Sequence, residues 1–260
     1  MYIPFLAFLI SFFLNPQAPQ SAPPVVVRDP QAVALLQKSI AVMGVLPSDS
    51  TASGTITIVA GSSTEQGTIQ ILTRGTTQTS VTVLVGTPNW AVIYSGGQAN
   101  RIEAGTTSVL CLELAASSQS LHFPLPFISG LVSNSDFAIQ YIGQESLGSS
   151  AANHIRVQNT FASQPLWQSL SEFTTADIWL DASTALPAKI SLVRRDGGGS
   201  SPKIPISVTY SNYQSVSGVR YPFTIQEYVT QTLWATTAIQ SVAFNTGLSD
   251  ANFTVIQGGN

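Results

Sequence analysis

The chain has 260 residues, of which 44% are hydrophobic and only 9% charged, against a usual charged share of roughly 25%. That excludes disorder, which pairs low hydrophobicity with high net charge. The net charge of -3 and the ten scattered basic residues, nearest to clustering at Lys189, Arg194, Arg195 and Lys203, exclude the basic stripe that nucleic acid requires, and a single cysteine, Cys111, excludes an intrachain disulfide framework and a multi-cysteine metal site.

In chain order, Tyr2 to Leu14 is nearly all apolar and is followed by a Pro/Gln/Ala/Ser stretch to Pro24. The run is shorter than the about 20 residues that span a bilayer, and it fits the apolar region of a secretory signal, with Ala18 and Ala22 near possible cleavage positions. The alternatives are an uncleaved membrane anchor or a buried strand. Residues 1–24 are therefore read as an export segment and 25–260 as one domain.

Asp29-Pro30 reads as a helix N-cap followed by proline at the first helical position. Val33, Leu36, Ile40 and Met43 then recur at helical spacing, and Gly44 supplies the stop. From Ser53 the period changes to two. Thr55 to Val59, Thr68 to Leu72 and Thr79 to Val85 alternate and are separated by glycine-bearing turns, which is the pattern of an antiparallel meander. Trp90 to Tyr94 and Gln98 to Glu103 form a further hairpin around Gly96-Gly97.

Thr107 to Ser120 is rich in small residues and fits a helix or a strand, with helix preferred. Phe123-Pro124-Leu125-Pro126 is read as extended, because each proline disfavours helix in the residue before it, and Phe127 to Val132 as a helical turn or lid. Strands return at Phe137 to Ile142, from His154 to Gln158, at Ala176 to Leu180, Ala188 to Val193, Ile206 to Tyr210, Phe223 to Val229 and Thr236 to Phe244. The fold class is mainly β with a few α-helices.

No constellation for catalysis stands out. His122 and His154 lie in no recognisable catalytic setting and are read as structural. Ser200 to Lys203 matches S-x-x-K but lies in a glycine loop, and Gly197-Gly198-Gly199 lacks the strand-to-helix context of a phosphate loop. Asp177 and Asp181 share a strand face at about 13 Å, too far apart for a glycosidase pair. Two histidines without a cysteine cluster argue against a metal centre. Cys111, between two leucines, is read as a buried thiol. No cofactor is expected.

The order of elements resembles the LolA/LolB-type lipoprotein carriers and their relatives among bacterial periplasmic proteins. Ile178-Trp179-Leu180-Asp181 followed by Leu186-Pro187-Ala188-Lys189-Ile190 is similar to a family hairpin. Val208 to Tyr213 followed by Gly218-Val219-Arg220-Tyr221-Pro222 is similar to another segment, and Val242 to Asn245 followed by Leu248 to Phe253 to the closing strand and tail. The resemblance implies a curved antiparallel half-open β-barrel covered by short helices over an apolar cavity. It also implies a periplasmic location, an acyl chain of a lipid or lipoprotein as ligand, and an envelope membrane protein as a further partner.

A half-closed sheet must cover its apolar face or aggregate. The available covers are the segments Gln31 to Met43 and Phe123 to Val132, which an acyl chain would replace at about 0.8 kcal/mol per buried CH₂. The candidate cavity residues are therefore Val33, Leu36, Ile40, Ile56, Ile58, Ile69, Ile71, Phe127 and Leu131. The same residues would also suit a dry core. The expected protein is a monomeric lipid or lipoprotein carrier without catalysis, and the alternative is a structural or sensory envelope module of the same fold.

Overall fold

A computed structural model describes residues 26–86, 89–110, 121–195 and 202–256. Helix α1 (Pro30–Met43) forms as its sequence dictates. The Asp29 carboxylate accepts from the amides of Gln31 and Ala32 at 2.8 and 3.2 Å, and Pro30 occupies the first helical position. Gly44 ends the helix at φ +106°, donating its N–H to the Ile40 carbonyl. A Cβ there would stand 2.5 Å from the Gly218 carbonyl oxygen, so glycine is required both by conformation and by the close approach of the next strand pair.

The first meander comprises β1 (Asp49–Ala60), β2 (Ser63–Arg74), β3 (Gln78–Leu84), β4 (Trp90–Ser95), β5 (Gln98–Glu103) and β6 (Thr106–Val109). Helix α2 (Pro124–Ser133) precedes the second, β7 (Phe137–Leu147), β8 (Ser150–Asn159), β9 (Ala176–Asp181), β10 (Pro187–Arg195), β11 (Lys203–Val216), β12 (Val219–Val229) and β13 (Thr232–Phe244). All thirteen strands form one antiparallel sheet, in the order β6-β5-β4-β3-β2-β1-β13-β12-β11-β10-β9-β8-β7. The two meanders meet only where β1 pairs with β13, and the sheet is not closed. At that seam the register shifts between Ser53 and Gly54, and a methyl at Gly54 would run into the Ala238 carbonyl. Further register shifts in β7, β10 and β12 add local twist and bend the sheet.

Burial along β1 separates the two faces. Ala52, Gly54 and Ile56 are buried, while Thr51, Thr55 and Thr57 on the other side are not. The inner face packs against α1 and α2 in one hydrophobic cluster that draws on both meanders. Because β6 and β7 are opposite edges, the chain between them must cross the sheet, and α2 lies on that crossing.

The edges are treated differently. β6 is a four-residue strand, too short to template much pairing. β7 is covered by residues 27–29, which run parallel to it: Asp29 donates its amide to the Ile139 carbonyl at 2.8 Å, and Ile139 donates to Val27 at 2.9 Å. Arg28 then reaches the end of α2, donating to the carbonyls of Val132 and Asn134 at 2.7 and 2.6 Å. A guanidinium at a helix C-terminus satisfies carbonyls that the helix itself leaves unpaired.

After β13 the chain turns back over the outer face. Asp49 is buried and accepts from the amide and hydroxyl of Thr246 at 2.6 and 2.8 Å and from the Gly247 amide at 3.1 Å. Asp250 pairs with Arg74 and accepts from Gln78. Asn100 closes a reciprocal pair with the backbone of Ile256, and Phe253 of the tail is buried.

Two readings of the sequence are corrected. Thr106 to Val109 is strand, not helix, because the left-handed pair Ala104-Gly105 makes a tight hairpin and β-branched residues follow it. The rest of that expected helix, 111–120, lies outside the described residues. Phe123-Pro124-Leu125-Pro126 is not extended throughout. Phe123 is (φ -124°, ψ 101°), but Pro124 opens α2 and Pro126 sits in its first turn, where an amide would have had no partner. Several strands also run past their expected ends. β7 continues through Gly143, which adopts φ +150°, and His154 lies mid-strand in β8.

Arg28→Ala is expected to cost about 1–2 kcal/mol and to speed amide exchange selectively in the last turn of α2. For Asp49, burial pushes the carboxyl up, but the Thr246 hydroxyl and the amides that follow outweigh it and hold the carboxyl below the ordinary aspartate value of 3.8. Its stabilisation is then complete above that value and is lost as pH falls through the lower, folded value. Denaturation measured against pH should show a steeper acid loss in the wild type than in Asp49→Asn, which keeps only the share of the other lowered carboxyls.

Candidate functional site

The inner face is the candidate site. Leu36, Ile56, Ile69, Ile71 and Leu131 are buried in its cluster, and Val33, Ile40, Ile58 and Phe127 pack half-buried against it. The structure thus brings all nine sequence-derived residues into one apolar body. On α1 the deepest stripe is Ala32, Leu36, Ser39 and Met43, rotated slightly from the expected one, so that Val33 and Ile40 flank it.

Aromatic residues not singled out as site residues from the sequence join the helices to the sheet. Phe123, at the start of α2, stacks on Tyr221 of β12 with ring centroids 4.6 Å apart, and Phe244 of β13 lies 6.0 Å from Phe123. Tyr221 also meets Phe223 edge-on at 6.4 Å. Farther along, Trp90 of β4 and Trp234 of β13 meet at 6.4 Å, spanning three intervening strands, which a flat sheet would not allow. The only sequence signal for the first group is the run Tyr221-Pro222-Phe223 beside a Phe-Pro segment.

Polar contacts tether the crossing segment. Tyr210 of β11 donates its hydroxyl to the Leu121 carbonyl at 2.6 Å, and His122 Nε2 lies 2.9 Å from Glu227 Oε1 of β12, both side chains being mostly buried. Burial pushes the Glu227 carboxyl up, but the charge and hydrogen bond of His122, with help from Arg194, outweigh it and hold it below the ordinary range. Burial also pushes the phenols of Tyr210 and Tyr213 well up, so both remain neutral donors. Beside this segment is a shallow hollow lined by Thr73, Gly75, Thr76, Thr79, Tyr94, Phe123, Pro126 and Phe127, with room for about one water molecule.

The other histidine lies on the opposite face. His154 Nδ1 and Nε2 lie 2.7 and 2.8 Å from Glu145 and Asp177. Ionised carboxylates only accept, so making both bonds requires both ring nitrogens protonated. Arg156 also bonds Asp177, Trp179 donates to Glu145, and the indole is stacked between the His154 ring and the Lys189 ammonium. Every partner is a neighbouring strand residue, which makes this a brace across β7 to β10. Asp181 instead accepts from Ser183 and Thr184 in its own turn, so the two aspartates do separate structural jobs.

This architecture is a LolA-like fold: an open antiparallel half-barrel with helices on its inner face. A LolA superfamily protein from Nitrosomonas europaea superposes with a TM-score of 0.56 at 15% identity, over 86% of this chain and 97% of that one. A putative outer membrane lipoprotein-sorting protein domain from Vibrio parahaemolyticus gives 0.55 at 14% identity, over 86% and 96%. A DUF1329 family protein from Desulfovibrio piger gives 0.57 at 10% identity, over 86% and 96%. No family model matches the sequence, and no curated protein matches it significantly. At these identities the likeness is one of fold. Among the described residues, no helix is long and apolar enough to cross a membrane.

The His122–Glu227 pair makes a sharp prediction. With His122→Ala, burial acts on Glu227 with less opposition, and its carboxyl should titrate at higher pH than in the wild type. Carboxyl-carbon NMR titration would read the shift, and an unchanged Glu227 would show that the pair does not form in solution.

Proposed function

We propose that this protein is an exported carrier that shelters a lipid acyl chain between its helices and the inner face of its sheet, and that it performs no catalysis. The observation that carries the reading is the single apolar cluster formed by α1, α2 and strands of both meanders. The cover is held to the wall by a few discrete contacts, at Tyr210, His122 and Phe123. An acyl chain that displaces side chains from such a cover gains about 0.8 kcal/mol per buried CH₂, which compensates for the packing lost.

Loading requires movement. The hollow beside Phe127 takes no acyl chain as it stands, so a ligand entering there has to push α2 aside. Phe127 and Leu131 on α2 and Val33, Leu36 and Ile40 on α1 then line one side of the chain, and Ile56, Ile58, Ile69 and Ile71 the other. Export is supported by the apolar run Tyr2 to Leu14. A lipid-modified protein as cargo is supported by the lipoprotein-sorting description of the Vibrio parahaemolyticus protein of like fold.

Native mass spectrometry of the purified chain, with lipid extraction, tests this reading. The expected result is a bound lipid at defined stoichiometry, or uptake of a fluorescent fatty acid once the lipid is removed. Ile40→Trp, which adds bulk where the edge of α1 packs on the apolar cluster, should reduce uptake severalfold while the protein stays folded. An apo mass with no uptake would overturn the carrier reading in favour of an envelope interaction module.

A further inference from the structure

The loop between β8 and β9 spends its apolar residues unevenly. Its 3-10 segment Pro165–Phe173 turns Leu170 and Phe173 into the protein, yet Leu166 is 95% exposed and Trp167 39% exposed. The presentation is built. Asp136 accepts from the Ser163 amide and hydroxyl and, through its carbonyl, from Thr160, while Gln158 holds the Ser171 carbonyl. Trp167 donates its amide back to Gln164. From Thr160 to Ser171 there is no charged residue, and Glu172 follows, exposed, near the end of the 3-10 segment.

The place of this tip in the fold indicates what it meets. Asp136 immediately precedes β7, and residues 27–29 run parallel to β7 from the same end. The chain therefore enters the fold beside the tip, through Val27, which is itself 63% exposed. Arg28 ties this point to the C-terminal end of α2. One end of the molecule thus gathers the chain entry, the end of the covering helix and an uncharged Leu-Trp tip. The sequence before that entry carries the apolar run Tyr2 to Leu14, with eleven residues between Leu14 and Val26, a reach of at most about 40 Å.

We infer that this end docks on a lipid bilayer, with Leu166 and Trp167 entering the interfacial layer. A tryptophan beside a protruding leucine suits the headgroup boundary, and the absence of any Lys, Arg or His between Thr160 and Phe173 makes docking by this loop independent of anionic lipid and nearly insensitive to salt. A protein partner would be the competing occupant, but Glu172 is the one charge that residues 160–173 offer to orient it. The inference goes beyond the carrier reading and does not rest on it. If both hold, cargo passes at the end where α2 is tethered.

The test uses the full chain with phosphatidylcholine vesicles whose acyl chains are brominated at shallow or deep positions. Tryptophan quenching is compared in the wild type, Trp167→Phe, Leu166→Ser, Trp90→Phe and Trp234→Phe. Trp167→Phe is expected to remove most of the quenching by shallow bromines, and Leu166→Ser to weaken it severalfold, both unchanged by added salt. If Trp167→Phe is quenched like the wild type, the tip does not enter lipid and the inference fails, including the case in which a protein covers it. Quenching lost in Trp90→Phe or Trp234→Phe reports lipid inside the half-barrel instead, so failure of the carrier reading and failure of bilayer docking give different patterns.

Discussion

The pairing of β1 with β13 joins strands that lie almost two hundred residues apart, and much else in the molecule is a consequence of it. Two meanders meeting at their first and last strands leave β6 and β7 as the outermost strands of one wide sheet. The chain then has to travel from one edge to the other between them. A crossing over the inner face satisfies two needs with one segment, since it completes the connection and covers apolar surface that would otherwise face water. Helix α2 is a cover by topology before it is one by composition. The same seam explains the tail: β13 ends beside the start of β1, where buried Asp49 catches Thr246 and Gly247 and sends residues 245–256 over the outer face.

The tethers on the crossing segment differ in kind from the apolar packing around them. Phe123 against Tyr221 contributes area and a stacked geometry worth about 0.5–1.5 kcal/mol beyond burial. The His122–Glu227 pair adds little or nothing to stability in such a position, because desolvation offsets most of the attraction. What it supplies is location, since a misplaced segment would leave Glu227 buried with a weaker partner. A cover that must move and return to the same place has use for contacts of this sort. Removing one partner costs more than the pair contributes, so lifting the segment without exposing Glu227 to water would be unfavourable. Opening is therefore coupled to hydration of this part of the inner face.

How much of this was legible in the sequence depends on the range of the interaction. Asp29, Pro30 and Gly44 bracket α1 because caps act within a few residues, and the period-two runs marked nearly every strand. The misread segments were those where a local rule had a competing one. Proline disfavours helix in the residue before it, which Phe123 obeys, yet it is also welcome in a first turn, which Pro124 and Pro126 exploit. The β1–β13 seam carries no local signal at all. Nor does the His122–Glu227 contact, formed by residues on separate elements with ordinary neighbours. The nine inner-face residues were legible as apolar and periodic, but the same pattern serves a filled core and a ligand wall, because burial rewards both equally.

The scarcity of charge is not evenly shared over the molecule. On the outer face of the central strands, hydroxyls take the place of ions, as in the bonds from Ser53 to Ser241 at 2.7 Å and Thr51 to Thr246 at 3.3 Å. Two networks use outer charges, Arg74 with Asp250 on one side and the His154 brace with Glu145, Asp177, Arg156 and Lys189 on the other. These networks fix the tail and the β7 to β10 strands against the bending that an open sheet imposes. At the end from which the 160–171 loop projects, Asp136 is committed to Ser163 and Thr160 of the loop itself, and Arg28 to the carbonyls that end α2. Solubility alone would not choose this distribution, since it leaves Leu166 exposed while charge is concentrated elsewhere. A surface divided into a braced side and an end with an exposed Leu-Trp tip has an orientation built into it, and an oriented half-barrel can present its covering helix consistently to whatever lies at that end.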